Sequence, residues 1–351
     1  MTFSICSPQL GLSPESNSGG EVYDREVIQR LCQQGVKVFS LLPKNRPYQK
    51  HKNLTVSYAP VKSMFPPHIF SAFVLPYLIK TYRKEKFDIL RVHNPYFVGP
   101  GALVFKKLYP QVPIVVSYLH LESGINQFID QLVINSFDHI ITISESTKKE
   151  IIEVFNYPSE KISIAYPGVD NRFQPEKIKH ENFTIMFVGG LKLRKNPEFL
   201  LKVLAKLNLP NVQLVYVGTG PLKNKLVGPN VKVTGYVPEA DKPKLYHQAD
   251  VVVLPSIKEG FGMTLTEAGA SGLPVIGNNH SSIKEIIQNG KTGFLAKTND
   301  VDDWANKLLQ LIKSPQLCLK MGEQGQKFIR SKFTWEKNIQ THLKVYESLI
   351  S

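Results

Sequence analysis

Short apolar runs rich in Val and Ile alternate with helical patterns along this chain, in two successive series. In the first, residues 3–7, 36–42, 89–93, 114–118 and 139–143 read as buried strands. Helical patterns lie between them, such as residues 21–33, closed by Gly35 as a C-cap. The second series follows the turn-rich stretch 166–175, with strands at 184–188, 212–217, 231–234, 251–254 and 274–277. Its helices include 196–207 and 265–272. Strands alternating with helices predict an α/β fold of parallel sheets joined by right-handed crossovers.

The chain is too long for one compact core of this kind and suits two domains. The boundary is expected within residues 171–182. That gives an N-terminal domain over 1–172, a C-terminal domain over 173–332, and a closing helix over 333–351 opened by Thr334. Cys6, Cys32 and Cys318 are scattered and odd in number, which fits neither a disulfide framework nor a metal site. The N-terminus has no basic and apolar leader, and no run reaches the roughly 18 apolar residues of a membrane span. The expected location is the cytoplasm. The formal charge is +14, and residues 171–351 hold 25 Lys and Arg against 15 Asp and Glu. Such an excess favours an anionic partner: a nucleotide diphosphate, a nucleic acid or an acidic membrane surface.

The most informative stretch is Lys258-Glu-Gly-Phe-Gly-Met-Thr-Leu-Thr-Glu-Ala-Gly-Ala-Ser-Gly-Leu-Pro-Val-Ile276. A strand ending at Leu254 runs into a loop and then opens a helix. Exposed amides at a helix N-terminus bind phosphate, and Gly260 and Gly262 let a ligand approach the backbone closely. Phe261, Met263 and Thr264 complete that turn. Glu259 and Glu267 flank it, one able to face a sugar while the other reaches a ribose, since a carboxylate accepts from two neighbouring hydroxyls. The plain alternative is a capping loop with a solvated Glu.

This segment resembles the signature of glycosyltransferase family four, the retaining group-1 enzymes of GT-B fold. Their Glu-Gly-Phe-Gly, second Glu, and Glu-Ala-x-Ala-x-Gly-x-Pro-Val are matched from Glu259 to Val275. Val188-Gly-Gly-Leu-Lys-Leu-Arg-Lys-Asn196 is similar to the family's Gly-Arg-Leu-x-x-x-Lys-Gly, which makes Lys195 the lysine on the donor diphosphate. Gly190 stands where the family has arginine and Asn196 where it has glycine; Arg194 is a candidate replacement for the guanidinium. Ser16-Asn-Ser-Gly-Gly-Glu21 resembles the family's Gly-Gly loop, whose amides at Gly19 and Gly20 face the donor phosphates. His120, after a strand at its C-terminal end, matches a histidine near the donor sugar and acceptor. His93 is a weaker candidate for the acceptor side, with a packing role equally open. The segments 141–145, 167–170, 217–221 and 246–256 read as framework, and Phe333-Thr-Trp335 as the start of the family's closing helix.

The resemblance implies two Rossmann-like domains with a cleft between them, the second domain holding the donor. It implies an NDP-sugar of UDP or GDP type as co-substrate and no required cofactor or metal; no Asp-x-Asp pair or histidine spacing suggests one. It further implies that Glu259 and His120 serve catalysis, Glu267 the ribose, and transfer with retention to a glycan, glycolipid or small-molecule hydroxyl. Residues 64–79, followed by a basic stretch, are either a core helix with a solvated end or a surface that meets anionic lipid. Two alternatives stay open: a non-catalytic binder of nucleic acid or membrane on the same scaffold, and a GT-B phosphorylase or epimerase. No aromatic-basic recognition module supports nucleic acid.

Overall fold

The computed structural model describes residues 3–16, 18–61, 67–176 and 181–351. Residues 64–66 of the apolar stretch, Asn17 of the Gly-Gly segment and residues 177–180 of the expected boundary lie outside them. The chain forms two compact units, Met1–Tyr166 with Glu336–Ser351, and Pro167–Trp335.

In the first unit the elements run β1 (Ser4–Cys6), α1 (Gly19–Gln33), β2 (Lys37–Pro43), β3 (Leu54–Ala59), α2 (Pro67–Glu85), β4 (Ile89–His93), α3 (Pro95–Leu108), β5 (Ile114–Tyr118), α4 (Ile125–Val133), β6 (His139–Thr142), α5 (Glu145–Phe155) and β7 (Ile162–Ile164). They build a parallel sheet of order β3-β2-β1-β4-β5-β6-β7. Strands β4 and β5 are buried along their whole length, as a sheet covered on both faces requires.

The second unit runs β8 (Phe183–Val188), α6 (Phe199–Leu207), β9 (Val212–Val217), β10 (Val231–Gly235), α7 (Lys242–Tyr246), β11 (Val251–Leu254), α8 (Met263–Ala270), β12 (Val275–Asn278), α9 (Ile283–Ile286), β13 (Gly293–Ala296), α10 (Val301–Lys313) and α11 (Pro315–Lys332). Its parallel sheet has the order β10-β9-β8-β11-β12-β13. In both sheets the first strand sits mid-sheet and the order reverses there, which sets the switch point where open α/β sheets bind ligands. The last helix, α12 (Trp335–Ile350), belongs to the first unit from Glu336 onward. There the Asn338 amide donates to the Ala165 and Tyr166 carbonyls at 2.9 and 2.8 Å, and Tyr346 packs edge-on to Phe3.

Three strands escaped the sequence reading. β3 is half exposed and carries no apolar run, while β7 and β13 are edge strands of three and four residues. Several starts also differ. Helix α1 begins at Gly19, so the Gly pair forms its first turn rather than the loop before it. Helix α6 begins at Phe199 rather than 196, because Leu193–Lys195 form a 3-10 turn closed by a left-handed Asn196. No helix among the described residues is long and apolar enough to cross a membrane.

Candidate functional site

The loop leaving β11 is pinned from three sides. The Asn278 amide donates to the Pro255 and Ser256 carbonyls, each at 2.9 Å. The Ser282 hydroxyl stands 2.9 Å from the Glu259 carbonyl and 3.0 Å from that of Phe261. Arg194 donates from Nη1 to the Lys258 carbonyl at 2.7 Å, and the Ile257 amide returns a bond to the Arg194 carbonyl at 2.9 Å. Phe261 points inward, buried against Phe333 with centroids 5.3 Å apart. The chain then turns into α8 at Gly262, whose φ of +105° is a region that side-chain-bearing residues rarely adopt. Met263 and Thr264 open the helix, so its free amides face the loop.

Lys195 and Glu259 meet at this junction, Nζ donating to Oε2. Burial pushes the Glu259 carboxyl upward, but the Lys195 charge and hydrogen bond and the Arg194 charge outweigh it, and its pKa is lowered overall. Asn196 follows in the left-handed region at φ +53°. That accounts for the family's glycine at this position, since Asn is the residue that best replaces glycine there. Gly190, where the family carries arginine, lies in the loop after β8 and brings no charge. Arg194 is close by, but one of its nitrogens is engaged by the loop it stabilises.

Glu267, on the second turn of α8, is buried in a charged cluster that the sequence reading missed. Its Oε2 accepts from the Tyr246 hydroxyl at 2.7 Å, and its Oε1 lies 3.9 Å from Lys242 Nζ. Lys242 pairs with Glu239, which also meets Arg172 at 3.4 Å. Burial and the Glu239 charge raise the Glu267 pKa, opposed chiefly by Lys242. Burial alone would lower the Lys242 pKa, but the two glutamates raise it. The spacing of Lys242 and Tyr246, one turn apart on α7, was a weak signal that they share a face.

The first unit holds the other candidates. Gly19 and Gly20 open α1, and the Glu21 carboxylate gathers the preceding loop by accepting from the Ser13 amide and the Ser16 hydroxyl, each at 2.8 Å. His120 lies just beyond β5, its Nε2 2.9 Å from Glu122 Oε1, which Tyr96 also approaches at 3.3 Å. His93 ends β4 with Nδ1 on the buried Asp24 carboxylate, which Arg91 shares from its fully buried position on the same strand. Among the described residues, no group of three or more His, Cys, Asp or Glu is gathered to hold a metal ion.

Comparison with known proteins bears on the family and the fold. The family model for glycosyl transferases group 1 matches residues 169–328, and that for glycosyltransferase family 4 matches residues 17–173. An uncharacterized glycosyltransferase of Methanocaldococcus jannaschii is 27% identical over 299 residues, 75% of this chain and 76% of that protein. A D-inositol 3-phosphate glycosyltransferase of Mycobacterium marinum is 27% identical over 63% of this chain, which spans only 52% of that protein. Among solved structures, a sucrose-phosphate synthase from Thermosynechococcus elongatus superposes with a TM-score of 0.84 at 18% identity, covering 99% of each chain. Anabaena HepE, solved in complex with UDP and glucose, gives a TM-score of 0.79 at 17% identity, covering 98% of this chain and 99% of that one. These likenesses establish the GT-B fold.

Proposed function

Since the chain belongs to the group-1, family-4 glycosyltransferases of GT-B fold, we propose that its second unit binds an NDP-sugar and that the protein transfers the sugar to a hydroxyl acceptor with retention. The convergence of Lys195, Glu259 and the N-terminus of α8 is the observation that carries this reading. Lys195 and the free amides at Gly262–Thr264 supply positive potential for a diphosphate without a metal ion. Arg194 adds charge from the adjoining turn.

An arriving diphosphate competes with Glu259 for Lys195. Once released, Glu259 turns to the sugar, where its negative charge stabilises the positive charge that develops as the anomeric C–O bond breaks. Glu267 accepts the ribose hydroxyls. The acceptor oxygen attacks from the face the diphosphate leaves, and the departing phosphate oxygen takes the acceptor proton. In the first unit, His120, paired with Glu122, orients the acceptor hydroxyl. UDP is the first nucleotide to try, because a protein of the same fold was solved with UDP; an acceptor in glycan, polysaccharide or glycolipid assembly fits the family.

Isothermal titration with UDP, GDP and ADP, repeated on Lys195→Ala, tests the donor site. Binding of one nucleotide, weakened about tenfold or more in the variant, supports it. Failure of all three nucleotides to bind overturns it. Proton NMR of the first product then reads the anomeric configuration, and an inverted product overturns retention.

A further inference from the structure

Helices α2, α3 and α4 follow β3, β4 and β5 by right-handed crossovers toward β6, so they cover one face of the first sheet, α2 packed on α3 and α3 on α4. One side of α2 is buried: Val74, Leu78 and Tyr82 lie in the core. The exposed apolar surface lies beside it instead. On α4, Ile125, Phe128 and Leu132 are 70%, 59% and 60% exposed, and on α3, Val104 and Leu108 are 42% and 54% exposed. The α4 residues fall at i, i+3 and i+7, one stripe along the helix, while Asp130 and Val133 face inward. Scattered exposed apolar residues need no explanation, but five large ones on two packed helices do.

Charge identifies the occupant. A groove on α2 has Leu75, Pro76 and Ile79 as its apolar lining and Lys80, Arg83 and Lys84 as its polar lining, with no acid among these residues. Lys107 is exposed between Val104 and Leu108. Two exposed carboxylates lie beside this basic stretch in sequence: Glu85, which pairs with Lys84 at 3.0 Å, and Asp88, which accepts from the Ser4 amide and hydroxyl at 2.7 and 2.9 Å. Protruding apolar side chains bordered by cations suit the boundary between head groups and acyl chains of an anionic bilayer. We propose that this α2–α4 face docks the protein on an anionic lipid surface, with Ile125, Phe128 and Leu132 inserted and Lys80, Arg83, Lys84 and Lys107 on lipid phosphates. This goes beyond the donor reading and does not rest on it. It puts His120, five residues before α4, next to the membrane.

Vesicle co-sedimentation tests the proposal, using phosphatidylcholine alone and phosphatidylcholine mixed equally with phosphatidylglycerol. The wild type binds the anionic vesicles and releases from them in high salt. Lys80→Ala/Arg83→Ala/Lys84→Ala weakens partitioning by about 100-fold, roughly fivefold per charge. Phe128→Ser/Leu132→Ser weakens it about tenfold or more per side chain. All these side chains are exposed or rim the groove, and an unchanged melting temperature and unchanged nucleotide binding verify that the variants fold. No binding to anionic vesicles, equal binding to neutral ones, or wild-type partitioning by the variants overturns the proposal. So does a dimer in analytical ultracentrifugation that Phe128→Ser/Leu132→Ser dissolves while vesicle binding persists.

Discussion

Lys195 donates a hydrogen bond to the carboxylate of Glu259 across 64 positions of sequence, joining the turn after β8 to the loop after β11. Both side chains are mostly buried, so removing one partner strands a charge in a place where water solvates it poorly. Lys195→Met is expected to lower stability by about 3 kcal/mol, and adding Glu259→Gln recovers most of it. Urea denaturation of the two single variants and the double variant measures the coupling. Nucleotide affinity stays low in the double variant, because the cation for the diphosphate is still missing. Recovery of both properties together would show that Lys195 serves the fold alone.

Glu267 behaves differently because its pKa is raised rather than lowered. A carboxyl with a raised folded-state pKa favours folding most when protonated, and stability declines as pH climbs from the unfolded value through the raised one. Glu267→Gln keeps the acceptor facing Tyr246 and removes a buried charge. Its melting temperature is therefore expected to equal or exceed that of the wild type near neutral pH, with that pH-dependent decline reduced. Nucleotide affinity falls by about tenfold or more, as expected when a charged acceptor for hydroxyls becomes neutral. Calorimetric melts across pH and titration with the nucleotide separate the two effects; undiminished affinity would remove Glu267 from the ribose.

The loop geometry gives a sharper contrast between two glycines. A Cβ at Gly262 would touch Ile286, Leu254 and Glu259 only at ordinary distances of 3.4–3.7 Å, so its cost lies in the φ of +105°. Gly262→Ala is expected to cost about 1–2 kcal/mol and to lower kcat/KM by re-aiming the first amides of α8. At Gly218 a Cβ would lie 2.0 Å from the Gly189 carbonyl oxygen, a contact backbone cannot relieve without parting the loops after β8 and β9. Gly218→Ala is therefore expected to melt lower than Gly262→Ala. The reverse order in thermal melts would contradict both accounts.

What the residues revealed beforehand follows from locality. Glu259, Gly262 and Glu267 lie within nine consecutive positions, so the strand-loop-helix junction and its two carboxylates were readable as one unit. Glu239, Lys242 and Tyr246 lie 21 to 28 positions from Glu267 and Arg172 still further, in segments whose spacing gives no sign of the fold that gathers them. The same holds for Asp24, an ordinary helical position until α1 packs it against Arg91 and His93. Asn196 was visible as a departure from the family's glycine, and its left-handed backbone shows why the change is compatible with the turn. Glycine's poor helix propensity hid the start of α1, which lies two residues earlier than the apolar pattern indicated.

His342 and Asp24 should each add acid sensitivity to the first unit, for reasons separate from the candidate donor site. His342 on α12 is fully buried; its Nδ1 faces the Asn338 carbonyl at 3.0 Å, and Nε2 has no partner. Burial, reinforced by the charge of Arg91, pushes its pKa down to about 3. The unfolded chain takes up this proton near pH 6.5 while the folded chain refuses it, so stability is lost as pH falls from about 6.5 toward 3. Asp24 acts in the window below. Burial raises its pKa, but His93 and Arg91 bring it down to about 2, from 3.8. Its contribution, on the order of 2 kcal/mol, is present above 3.8 and disappears as pH drops through about 2. His342→Leu is therefore expected to flatten the decline between pH 6.5 and 3 without touching the one below it. Hydrogen exchange of α12 and β4 amides at pH 7 and pH 4.5 reads this directly, with the wild type losing protection at the lower pH and the variant keeping it. Equal loss in both proteins would assign the acid response to another group.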